Sequence, residues 1–125
     1  MISKNAKMVL GAALAAAVLG TGAQAGDAVA GKKVYNKCKA CHTLEEGGQN
    51  RVGPNLFGVV GREAGAVEGF KYSAAMKDSG IVWTEEKLAE FLAKPKTVVP
   101  KTKMAFPGLK KPEDIANVIA LMKGE

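Results

Sequence analysis

Both cysteines and the only histidine of this 125-residue chain fall inside one pentapeptide, Cys38-Lys39-Ala40-Cys41-His42. On a helical turn, residues three apart face the same way. Two thiols at that separation can add to the two vinyl groups on one edge of a haem and hold it by thioethers. The following His42 is then carried beneath the ring, where its imidazole can ligate iron. Other chemistries use a Cys-x-x-Cys pair, and the surrounding residues argue against each. A dithiol redox site belongs next to a βαβ pattern, which is absent here. A zinc ribbon needs a second pair of ligands that the chain does not have. A plain structural disulfide or a chance motif is the remaining alternative. Haem attachment accounts for all three residues.

A haem iron takes six ligands, so the methionines come next. Met122 recurs with Ile115, Val118 and Ile119 on one stripe of a helical pattern and reads as core. Met76 falls in a short helical stretch and reads as packing. Met104 lies between Pro100 and Pro107 in a segment with no helical face to satisfy, and it is the candidate for the sixth position, opposite His42. A filled sixth position suits an electron carrier. An open one suits catalysis or gas binding.

These groups must be positioned by a small set of elements. Asp27 can cap a helix to about Lys39, with Gly31, Val34, Tyr35 and Cys38 at helical spacing. From Thr43 to Tyr72 glycines recur too often for long regular elements, which implies turns wrapped around something, and no strand pattern is present. Ser73 can cap a short helix ending at Gly80, and Thr84 a second one over Glu85 to Lys94 with Leu88, Phe91 and Leu92 inward. Pro95 then ends it, and Pro100 and Pro107 hold the chain on an extended, non-helical path around Met104. A last helix begins at Pro112, with Glu113 and Asp114 at its positive end.

Residues 1–25 are of a different kind. Lys4 and Lys7 precede an apolar run from Met8 to Gly20, and Ala23-Gln24-Ala25 is a small-x-small site, which predicts a secretory signal peptide cleaved after Ala25 and a mature domain over 26–125. Cleavage lowers the net charge from +6 to +4, since two lysines leave and no acid does. No apolar stretch reaches the roughly 20 residues of a membrane-spanning helix, so the mature chain is not expected to be an integral membrane protein. Export and the lack of a binding motif disfavour nucleic acid as a partner. About 100 mature residues bury only some two-thirds of their unfolded surface, so a bound group that completes the core is expected.

Over residues 26–125 the chain resembles the class I cytochromes c, in particular the bacterial cytochrome c2 type. The likeness is carried by Cys-Lys-Ala-Cys-His-Thr at 38–43, Gly-Pro-Asn-Leu at 53–56, Gly61-Arg62, Gly69-Phe70 with Tyr72, Gly-Ile-Val-Trp at 80–83 and Pro-Lys-Thr-Lys-Met-Ala-Phe at 100–106. It implies an all-α fold of a few helices and Gly-rich loops around one covalently attached haem c. By the same resemblance Cys38 and Cys41 carry the thioethers, and His42 and Met104 are the axial iron ligands. Pro54 offers its carbonyl to the far ring nitrogen of His42. Arg62, Tyr72 and Trp83 hold a buried propionate, Thr102 supports the methionine side, and Gly31 lets the first helix cross the last near Val118 and Leu121. Three positions depart from the pattern: Phe91 stands where a tyrosine is frequent, Met76 where asparagine is frequent, and Lys101 where glycine is usual.

The function so implied is a periplasmic one-electron carrier in respiration or photosynthesis, monomeric and not an enzyme. Lys37, Lys39, Lys96, Lys101, Lys103, Lys110 and Lys111 cluster in sequence around the attachment and methionine segments. As a set they favour acidic docking faces, such as those of a cytochrome bc complex as donor and a reaction centre, oxidase or reductase as acceptor. The competing class, a haem protein with an open iron site, has its attachment motif near the C-terminus in the cytochrome c′ type, whereas here the motif lies near the mature N-terminus.

Overall fold

A computed structural model describes residues 26–124, and the expected signal peptide and its cleavage site lie outside the described residues. Five helices follow one another: α1 (Ala28–Tyr35), α2 (Ala74–Lys77), α3 (Glu85–Ala93), α4 (Pro95–Val98) and α5 (Pro112–Met122). Local chemistry sets their starts. The Asp27 carboxylate accepts from the Val29 and Ala30 amides at 2.9 and 3.4 Å, and Thr84 Oγ1 accepts from Lys87 N at 3.1 Å. Pro112 opens α5, with Glu113 and Asp114 in its first turn.

The first and last helices form the main contact. Gly31 is buried against the Asn117 backbone, where a Cβ would collide with the carbonyl oxygen and lie 3.2 Å from Leu121 Cβ. The Asp27 amide closes the same junction on Asn117 Oδ1 at 2.8 Å. The crossing therefore falls on the backbone of Asn117 and on Leu121. Val118, the expected neighbour of Gly31, is fully buried in the core. Leu88, Phe91 and Leu92 of α3 and Val118, Ile119 and Met122 of α5 join it there, and Lys123 ties α5 to Glu85 at 3.1 Å.

Two expectations are corrected. The first helix stops at Tyr35, not near Lys39, because the Asn36, Lys37 and Cys38 amides turn to partners three residues back. The backbone tightens into successive turns as far as His42. Pro95 does not lead straight into extended chain. Its ring is compatible with a first helical turn, so α4 forms before the path straightens. Beyond it, residues 101–108 alternate between exposed and half-buried, with Thr102, Met104 and Phe106 on the inner side and Lys101, Lys103 and Ala105 outside. Leu109 N then binds Leu92 O at 2.7 Å and fixes the end of this segment to α3.

Lys101 is the one non-glycine among the described residues with a positive φ, 65°. The left-handed conformation costs a residue with a Cβ roughly 1–2 kcal/mol, partly offset by the extra unfolded-state freedom of glycine. Lys101→Gly is expected to raise stability by about 0.5–1 kcal/mol, read as a higher denaturant midpoint at unchanged m value.

Candidate functional site

The attachment turn is built on bonds from Cys41 N and His42 N to Cys38 O, 3.1 and 3.0 Å long. Both cysteines are half-buried and are not joined to one another. Burial pushes the Cys38 thiol up, reinforced by Cys41 and opposed by Lys37. A dithiol redox site needs the opposite shift.

His42 is held on several sides. Its Nδ1 lies 2.7 Å from the Pro54 carbonyl oxygen. A carbonyl cannot donate, so Nδ1 carries the proton and Nε2 keeps its lone pair. Burial pushes the imidazole pKa down, against the Pro54 bond and together with Arg62, which favours that neutral form. Gly53 lies flat against the ring: a Cβ there would overlap Cε1 and come within 2.7 Å of both nitrogens. Gly53 N in turn donates to Cys41 O at 2.8 Å.

Asn55, not singled out from the sequence beyond its place in Gly-Pro-Asn-Leu, organises the neighbouring loop. Its amide donates to Thr43 Oγ1 at 2.7 Å and to Glu45 O at 3.0 Å, while buried Thr43 donates to Gln49 O at 2.8 Å. The Asn55 carbonyl accepts from Arg62 Nη2 at 3.1 Å, and the Phe57 carbonyl takes Nη1 at the same distance.

Arg62 and Trp83 are brought side by side by a short antiparallel pairing that leaves no local signal in the sequence. Trp83 N binds Arg62 O at 2.9 Å, Gly61 N binds Trp83 O at 2.7 Å and Ala64 N binds Ile81 O at 2.8 Å, around an isolated bridge between Glu63 and Val82. Burial pulls the Arg62 pKa down, and the Tyr72 phenol acts in the opposite sense. The Tyr72 oxygen accepts from Val67 N at 3.0 Å, so its own proton is free to be donated. Trp83 is buried and its ring centroid lies 4.8 Å from that of Phe91, at 52°. On the methionine segment, Thr102 Oγ1 accepts from Met104 N at 3.3 Å. Met104, like Met76, is half-buried against the core cluster.

The Cytochrome c family model matches residues 28–124. This chain belongs to the cytochrome c family. It is 55% identical over 104 residues to cytochrome c2 of Afifella marina, covering 80% of this chain and 84% of the relative. Identity to cytochrome c-550 of Nitrobacter winogradskyi is 53% over 95 residues, 76% of this chain and 87% of the relative. Cytochrome cH from Methylobacterium extorquens superposes with a TM-score of 0.75 at 46% identity, covering 80% of this chain and all of that one.

As a cytochrome c of the c2 type the protein is an electron carrier with covalent haem c, not an enzyme, and Cys38 and Cys41 stand at the attachment spacing. Its residues fit the group. Among the described residues no carboxylate pairs with Arg62. A half-buried cation left this way suits an anionic substituent. Gly53→Ala is expected to push the imidazole off the Pro54 carbonyl, costing about 2–3 kcal/mol of holoprotein stability by denaturant titration and speeding exchange of the His42 Nδ1 proton measured by NMR.

Proposed function

We propose that the protein is a periplasmic one-electron shuttle whose haem iron is ligated by His42 and Met104. The observation that carries this reading is the 2.7 Å contact of His42 Nδ1 with the Pro54 carbonyl, which commits Nε2 to act as the donor atom. Met104 is supported by its half-buried place on the inner side of an extended segment whose outer side carries Lys101 and Lys103. The haem supplies the ferric–ferrous couple. The chain's part is to keep both axial positions filled and the surroundings rigid, so that little reorganises when one electron moves.

Arg62, Tyr72 and Trp83 are assigned to one propionate, with the guanidinium supplying charge and the phenol and indole supplying directed donors. Thr102 holds the backbone of the methionine segment. Lys37, Lys39, Lys96, Lys101, Lys103, Lys110 and Lys111 are all exposed, and we assign them to docking on acidic faces. A cytochrome bc complex fits as donor, and a reaction centre, oxidase or reductase as acceptor. Export through the signal segment with cleavage after Ala25, and action as a monomer, complete the reading.

Met104→Ala decides the ligation. The expected outcome is carbon monoxide binding by the ferrous protein at neutral pH and a fall in midpoint potential. That fall should be at least a tenth of the roughly 0.8 V over which axial ligands set haem potentials. Unchanged absorbance and potential would overturn the assignment. Docking is read separately: the second-order rate of reduction of an anionic oxidant such as ferricyanide is expected to fall on the order of tenfold between 0.01 and 1 M salt, as the Debye length shrinks from about 30 to 3 Å.

A further inference from the structure

We infer that Tyr35 is a positioning residue through which the α1–α5 pair holds the backbone of His42. The Tyr35 hydroxyl donates to the His42 carbonyl oxygen at 3.1 Å. Along the turn the neighbouring carbonyls are served by backbone amides: Cys38 O by two, Cys41 O by Gly53 N, Thr43 O by Leu56 N. Among the described residues the phenol is the one donor to the carbonyl of His42.

The geometry makes this bond a mechanical link. Tyr35 is the last residue of α1, and α1 is locked on α5 by Gly31 and by the Asp27–Asn117 bond. A phenol has two side-chain torsions and a rigid ring, so the position of its hydroxyl follows the helix that bears it. His42 is thereby tied by its ring to Pro54, by its amide to Cys38 and by its carbonyl to the helix pair.

Beside the bond lies an open cleft of about 570 Å³ bordered by Tyr35, Asn36, Lys39, Thr43, Glu45 and Arg51. It has room for water. When the hydroxyl is removed, water can satisfy the carbonyl, so what is lost is the restraint and not the hydrogen bond. The effect should therefore appear locally, with only a minor change in global stability.

Tyr35→Phe in the holoprotein tests this, since it deletes one oxygen and keeps the ring. The inference rests on His42 as an axial ligand, and that premise is read first in the unmodified ferric protein, where paramagnetically shifted His42 ring protons must be present. In Tyr35→Phe those shifts are expected to move, and exchange of Gly53 N–H and of the His42 amide to accelerate about three- to tenfold. Leu88 and Val118 amides should stay within about twofold of the unmodified protein. Unmoved ring-proton shifts would overturn the inference, and so would exchange at Gly53 and His42 that rises only in step with Leu88 and Val118.

Discussion

The protein turns on one constraint: a neutral imidazole kept at a fixed angle by a carbonyl that can only accept. Pro54 presents that carbonyl 2.7 Å from His42 Nδ1, and proline, with its fixed φ, presents it from a stiff backbone. Gly53 is bare because the ring occupies the place of its side chain. The residues that follow are organised around the same loop, with Asn55 linking it to Thr43 and Glu45 on one side and to Arg62 on the other.

Burial elsewhere in the molecule reads as preparation for a large flat guest. A core with few aromatic side chains closes over α3 and α5, while the Arg62 guanidinium is left without a carboxylate partner. In a finished interior such a group would be costly. The apolar cluster, with Met104 and Met76 packed against it, supplies dry surroundings in which such polar contacts are stronger.

Much of this was legible in the order of residues. The attachment motif is local, so its spacing alone exposed the chemistry of Cys38 and Cys41. The caps at Asp27, Ser73 and Thr84 are local too, and the helices begin where those residues stand. The end of α1 was less legible because a tightening turn keeps the apolar spacing of a helix while changing its bonds. The pairing of Gly61–Ala64 with Ile81–Trp83 joins two irregular segments and has no periodicity to betray it. The phenol on the His42 carbonyl was hidden for a related reason: Tyr35 fits an apolar stripe equally well as a packing residue, and its hydroxyl becomes informative only once the turn brings the carbonyl to it.

The bond between Asp27 and Asn117 joins positions 90 residues apart. During synthesis α1 emerges early and must wait for nearly the whole chain before the surface that covers Gly31 exists. Closing so long a loop has an entropic cost that local contacts cannot recover beforehand. The contact that covers Gly31 therefore forms only once the final helix has been made, so the two ends of the chain are joined last.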